Sequence, residues 1–335
     1  MKNILVTGIA GFLGSHIAER LVKAGHHVIG IDDLSGGTRE NVPDGAHLFE
    51  MDICNEFAVN RLFAHIEIDV VIHCAAFASE NLSHNCALHT YKSIVMGSGV
   101  LLNAAINYSV ECFISMSSIA VYGEGSPPFL EDDHCQPCDP YGAAKLCMEN
   151  ALKAAAKNFG INYVIFRPHN IIGTRQSLAD STRNVASIFI RQALTGKPLT
   201  IFGDGMQTRA FSPVSHVARI IAACVERQNT WNQTYNIGGS RIMAVKELAV
   251  IVAPGHPIEH LPERREVKHA HSMHHAIRQY FPDMEDEDES IEQCIAAMIV
   301  EAKRIALPEI KPLPRIEIQR NLNPAWTSQP QTATS

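Results

Sequence analysis

The chain has 335 residues, 46% of them hydrophobic, and a formal net charge of −7. That length exceeds one small core and predicts one large α/β unit or two lobes with a sizeable interior. The acidic balance argues against nucleic acid as the main partner, and no stretch approaches the roughly 20 apolar residues that span a bilayer, so no membrane partner is expected.

In chain order, Ile4-Leu5-Val6 is a short apolar run ending near Gly8, and Phe12 to Ala24 has helical spacing that stops at Gly25. A helix pattern following these glycines makes the apolar N-terminus a buried strand and turn rather than a signal peptide. Val28–Ile31, Val70–His73, Cys112–Ser115 and Tyr163–Phe166 repeat the strand theme, with helices near Glu56–Ile66 and Tyr91–Asn107. Continuous apolar strands separated by helices predict a parallel sheet covered on both faces. Residues 1–166 form the expected nucleotide-binding domain. Residues 167–323, with shorter strands and more isolated turns, read as a smaller α/β lobe that closes over a ligand, its strands interleaving with the first sheet. The acidic run from Asp283 to Glu289 reads as a solvated loop, and the polar tail 324–335 as frayed and flexible. Nine cysteines scattered through the chain read as reduced and cytosolic.

Thr7 to Gly14 (TGIAGFLG) follows a strand and opens a helix. Gly8, Gly11 and Gly14 allow a tight turn and let the backbone approach a pyrophosphate, and Phe12 and Leu13 begin a helix whose free N–H groups and dipole favour that anion. This is the Rossmann context, a doubly wound parallel sheet. Asp32 ends the second strand, where a carboxylate accepts from both adenosine ribose hydroxyls and repels a 2′-phosphate, so NAD is expected rather than NADP. Asp33 follows it. Asp52 is expected to reach the adenine by hydrogen bonding and Ile53 by packing.

Tyr141 and Lys145 lie four residues apart on a helix predicted to begin after Pro140, and so share one face. An ammonium there favours phenolate and prepares the tyrosine to take a proton from a sugar hydroxyl. Ser118 ends the strand through Phe113 and Ile114, where ligands of parallel sheets bind. It could donate to the same hydroxyl oxygen or merely cap a turn.

Several ordered motifs together resemble the extended short-chain dehydrogenase/reductase family, and most closely its UDP-glucose 4-epimerase branch. They are TGIAGFLG, SSIAVYG at 117–123, PYGAAK at 140–145, FRPHN at 166–170, GKPLTIFGDGMQTRAF at 196–211, YNIGG at 235–239 and EVKHA at 266–270. The resemblance implies a catalytic trio of Ser118, Tyr141 and Lys145, and a further cofactor loop at Cys74, Ala75 and Ala76. It implies nucleotide-sugar contacts at Asn170, Asn184, Phe202, Arg209, an arginine at 264 or 265 (Arg265 preferred) and Glu266. Phe202 would pack on uracil, and Ala270 would line the hexose pocket. A small residue at 270 implies room for N-acetylhexosamines or uronic acids beside UDP-glucose. The implied partners are a UDP-sugar and a second copy of the chain, docked through 91–107 and 141–157.

The dehydratase branch resembles this chain but carries an Asp-Glu pair after the active serine or threonine, and the decarboxylase branch usually keeps the Glu. Ile119 and Ala120 stand there instead. Other departures are Ile94 in place of an Asn near the nicotinamide, Ser215 and His216 in place of an acidic pair, and Pro213 in place of an aromatic residue. Cys135-x-x-Cys138 has no second pair, and the cluster His269, His271, His274 and His275 falls in a segment the resemblance covers without metal, so no metal is expected. Competing readings are a non-catalytic NAD or nucleotide-sugar binder and a net oxidoreductase or dehydratase.

Overall fold

The computed structural model describes residues 1–182, 184–264, 266–284, 289–327 and 329–332. The first half alternates as expected: β1 (Asn3–Thr7), α1 (Phe12–Lys23), β2 (His27–Asp32), β3 (Ala46–Glu50), α2 (Glu56–His65) and β4 (Val70–His73). Then come α3 (Glu80–Ser83), α4 (Ala87–Tyr91), α5 (Gly97–Asn107), β5 (Cys112–Met116), α6 (Pro140–Phe159) and β6 (Asn162–Pro168). The helix expected over 91–107 thus starts earlier, at Ala87, and is interrupted by a π turn at Lys92–Met96. Hydrophobic spacing could not show that widened turn, because the chain stays helical and apolar through it.

The second half contributes β7 (Asn170–Ile172), α7 (Val185–Leu194), β8 (Leu199–Phe202), β9 (Thr208–Pro213), α8 (Val214–Cys224), β10 (Gln233–Ile237) and β11 (Ile242–Ala244). It continues with α9 (Val245–Val252), β12 (Ile258–Leu261), β13 (His269–Ala270), α10 (His275–Tyr280), α11 (Ile291–Arg304) and α12 (Pro324–Thr327). Seven parallel strands form the main sheet in the order β10-β6-β5-β4-β1-β2-β3. The order reverses beside β1, which opens a crevice at the strand ends for a dinucleotide. The fold is therefore a Rossmann-type α/β sheet. The β10 strand returns from the second half to close its edge, and α8 packs against α1. Small sheets built on β9 and on β8–β12 make up the smaller lobe.

The main sheet buries one core on each face: Ile4, Val6, Ile72, Ile114 and Phe166 on one side, and Leu5, Val71, Phe113 and Ile165 on the other. Neighbouring residues in one strand feed opposite cores, which is why these strands read as unbroken apolar runs. A third core, including Phe189, Leu248 and Ile295, fills the smaller lobe.

The tail does not simply fray. Trp326 is buried against Leu82, Cys86, Leu313 and Ile316, and the Leu313 N–H donates to Pro330 O at 2.8 Å. One buried indole outweighs the polar composition around it. Of the acidic run, Asp283 pairs with Arg227 at 2.6 Å and Glu289 accepts from Ser215 Oγ at 2.7 Å; residues 285–288 lie outside the described residues. Among the described residues, no helix is long and apolar enough to cross a membrane.

Candidate active site

The glycine turn is sterically closed to any other residue. Gly8 has φ +70°, and a Cβ there would lie 2.9 Å from Ala75 N; a Cβ on Gly14 would lie 2.2 Å from Gly8 O. These approaches press the start of α1 and the Cys74–Ala76 loop against the end of β1. The Cys74 N–H donates to Thr7 O and the Ala75 N–H to Thr7 Oγ1, both at 3.2 Å. Gly11 caps α1 without a side-chain bond, leaving the first-turn N–H groups of Phe12, Leu13 and Gly14 uncapped from that side, as an anion-binding helix end requires.

Asp32 is 7% exposed and accepts from Ala10 N at 3.0 Å and Leu34 N at 2.8 Å. Burial pushes its carboxyl up, while those two N–H bonds pull it back. Asp33 is turned to solvent and accepts from Ser35. Asp52 is also exposed and accepts from Cys54 N at 2.8 Å, whereas Ile53 is buried against the start of α5, where a Cβ on Gly97 would come within 2.5 Å of it. A carboxylate beside a side-chain-free cradle fits a dinucleotide.

The expected catalytic residues lie where α6 meets the end of β5. Pro140 occupies the first turn of α6, and Asp139 caps it by accepting from Gly142 N at 2.9 Å. A Cβ on Gly142 would lie 2.6 Å from Ala120 O, so the helix start presses on the 119–122 turn that Ser118 caps. The Lys145 Nζ sits 5.8 Å from the Tyr141 ring centre and donates to Met116 O at 2.6 Å. Burial draws its ammonium down to about 8, with Cys74 and Glu149 working the other way. The Ser118 Oγ accepts from Ala120 N at 3.1 Å, so the serine does cap a turn, and its O–H is still able to donate. Ile94 is buried in the π turn, and its carbonyl accepts from Ser98 Oγ.

Beneath the trio lies a network that motif reading did not single out. Glu149, 0% exposed, receives both forks of the 2%-exposed Arg167 at 2.9 and 2.7 Å, and also accepts from Ser117 Oγ. Arg167 further donates to Tyr122 Oη at 2.8 Å, which donates to Asn236 Oδ1 at 2.7 Å. Burial opposes the Arg167 charge, but the Glu149 hydrogen bonds and charge hold it above its usual range. A second buried chain links Thr7 Oγ1, His73 and Ser98 Oγ at 2.8 and 2.9 Å. Burial pulls the His73 imidazole down to about 3, so it stays neutral at neutral pH. The signal for the first network was in the sequence: Glu149 lies four residues beyond Lys145 on the same helix.

The small sheets on β8 and β9 carry or adjoin the residues expected to contact the nucleotide sugar. The Arg264 guanidinium lies 4.3 Å over the Phe202 ring and pairs with Glu266 at 2.9 Å. Arg209 is 3.8 Å from Glu266 and donates to Val267 O at 2.7 Å. Ala270 is buried on β13, in register with Arg209. Asn170 begins β7 and is half-buried. Asn184, at φ +53°, spends its amide on Ile171 O at 2.6 Å and caps α7. Arg265 lies outside the described residues. The His169 and His274 rings lie 4.9 Å apart, tilted by 38°, and among the described residues no group of three or more His, Cys, Asp or Glu is placed to hold a metal.

This arrangement has close structural counterparts. UDP-glucose 4-epimerase of Thermotoga maritima, solved with UDP-glucose, superposes with TM-score 0.84 at 31% identity, covering 90% of this chain and 99% of that one. UDP-glucuronic acid 4-epimerase of Bacillus cereus, solved with UDP-glucuronic acid and NAD, gives 0.82 at 30% identity with coverage of 90% and 99%. UDP-glucose 4-epimerase of Azospirillum brasilense is 34% identical over 260 residues, 73% of this chain and 75% of that protein. The NAD dependent epimerase/dehydratase profile matches residues 4–238, most of the chain and all of the dinucleotide and Tyr141–Lys145 framework. The glycine cradle, Asp32 and that match together place the chain in the NAD dependent epimerase/dehydratase family, with NAD as its cofactor.

Proposed function

We propose that this chain interconverts UDP-hexoses at C4 through a transient 4-keto sugar. The observation that carries this reading is Lys145 beside the Tyr141 ring and bonded to Met116 at the end of β5, the strand that leads to Ser118, with Ile119 and Ala120 in the next two positions. Loss of water calls for an acid or base beside the active serine, and the decarboxylase branch that this chain resembles usually keeps a Glu there. A side chain of hydrocarbon alone offers none, and epimerisation needs none. Tyr141 takes the C4 hydroxyl proton and later returns it, the Lys145 ammonium favours its phenolate form, and Ser118 donates to the same oxygen. Bound NAD, cradled by Gly8, Gly11, Gly14 and Asp32, supplies a reversible hydride acceptor for that carbon. Asn170, Asn184, Phe202, Arg209, Arg265 and Glu266 hold the UDP portion in this reading, the arginines suiting a diphosphate because their forks reach two oxygens at once.

The exposed Leu88 (71%), Met96 (51%) and Phe159 (68%) on the 87–107 and α6 helices support a homodimer contact there. The deciding experiment incubates the purified protein with a panel of UDP-hexoses and reads 4-epimer ratios by NMR. Conversion of at least one pair is expected; recovery of every sugar unchanged defeats the reading. Ala270 leaves space for an N-acetyl group. Ala270→Tyr should therefore cut kcat/KM for UDP-N-acetylglucosamine by about 10-fold or more relative to UDP-glucose, and full retention of N-acetyl turnover would remove Ala270 from the pocket.

A further inference from the structure

The segment from Pro308 to Trp326 supplies no residue to the cradle or to the expected catalytic trio, yet it is bonded to both sides of the dinucleotide crevice. It leaves the smaller lobe after α11, where Arg191 Nη1 donates to Pro308 O at 2.7 Å and Lys311 N to Ala179 O at 2.9 Å. Its next anchor is the loop after β2: the half-buried Lys311 donates from Nζ to Ser35 O at 3.0 Å and reaches Gly37 O at 3.5 Å. That loop rests on the glycine turn itself. The Thr38 N–H donates to Ala10 O at 3.0 Å, and a Cβ on Gly37 would lie 2.3 Å from Ala10 O. Further along, the segment meets the helices after β4. The two carboxylate oxygens of Glu317 accept from Leu88 N and His89 N, each at 2.9 Å, capping α4 where the Cys86 side chain makes no cap bond. Asn85 O accepts from Glu317 N at 2.8 Å, and the buried Trp326 packs in one cluster with Leu82 and Cys86. Phe77, the residue after the Cys74–Ala76 loop, packs against the same cluster.

We propose that this segment is a strap that retains the bound NAD, and that Lys311 is a positioning residue for the cofactor, acting through the carbonyls of Ser35 and Gly37. The sheet order β4-β1-β2 puts the end of β1, and with it the glycine turn, between the two anchor regions. A strap tied to the loops after β2 and after β4 therefore crosses the crevice in which open parallel sheets hold a dinucleotide. Surface loops open locally at little cost when few contacts hold them. Here, opening the loop after β2 breaks the hydrogen bonds of an ammonium, and opening the segment after β4 breaks those of a carboxylate and exposes an indole. NAD then leaves only when the strap undocks. The inference goes beyond the epimerase reading, since it concerns the cofactor and holds for any sugar.

The test loads the purified full-length protein with radiolabelled NAD, chases it with an excess of unlabelled NAD, and follows the label retained on the protein by rapid filtration. Lys311→Met should release the label about tenfold faster than the unaltered protein, the scale set by losing a hydrogen bond from a charged group. Lys311→Arg keeps the charge and the donor, and should stay within a few-fold of the unaltered protein. Trp326→Ala, at the other anchor, should speed release as Lys311→Met does, although it leaves Lys311 in place. Release from Lys311→Met as slow as from the unaltered protein overturns the proposal, and so does a folded Trp326→Ala that holds NAD as long as its parent. Should Trp326→Ala not fold, Lys311→Met decides alone. Because no sugar enters the experiment, its failure leaves the epimerase reading standing.

Discussion

Tyr141→Phe is expected to lower kcat for UDP-hexose epimerisation by about 10³-fold, within the range that a positioned general base contributes, while the dissociation constant for the UDP-sugar changes little. The substitution removes one oxygen and keeps the main-chain contacts that place the start of the helix. The start of α6 is held by main-chain and neighbouring groups: Asp139 accepting from Gly142 N, Pro140 in the first turn, and Tyr141 N donating to Ser83 Oγ. The Lys145 Nζ remains tethered to Met116 O. Loss of turnover with intact binding therefore reports proton transfer rather than collapse of the site. Single-turnover kinetics together with calorimetric titration of UDP-glucose checks both halves. A variant that keeps turnover within a few-fold of the parent would show that some other group moves the proton.

The second large effect is on stability. Arg167→Met is expected to cost about 3 kcal/mol, because it leaves a fully buried carboxylate with only the half-exposed Lys153, 3.8 Å away, as counter-charge. Urea denaturation, with two-state behaviour verified, reads this as a lower midpoint at unchanged slope. Glu149 is 0% exposed and takes both forks of Arg167, so water cannot replace the lost partner. The damage is expected to reach the site as well. Glu149 also accepts from Ser117 Oγ, next to Ser118, and lies one helical turn beyond Lys145. Replacing both members, Arg167→Met with Glu149→Leu, should recover much of the stability, since no buried charge remains unpaired. A single variant as stable as the parent would mean that the carboxyl is not buried as charge.

Much of this molecule was legible before any coordinates. The glycine turn, the strand–helix alternation and the Tyr141–Lys145 spacing are local patterns, and each rests on a rule that spans only a few residues: a backbone that must approach its neighbour, a buried strand, two positions on one helix face. Ser118 was legible only as a choice between two roles. The hydrogen bond from Ala120 N establishes the turn-capping one without taking away the hydroxyl proton that the other would use.

What the chain alone determined was thus the Rossmann class, the dinucleotide turn and the helix face that pairs a phenol with an ammonium, because those depend on short-range geometry. Only the tertiary structure decided which distant charges would be buried together. Arg167 meets Glu149 across a strand–helix interface, and Trp326 leaves a polar tail to pack beside Leu82. Burial and electrostatic fields sum over every element packed around a group, so no window of sequence contains them.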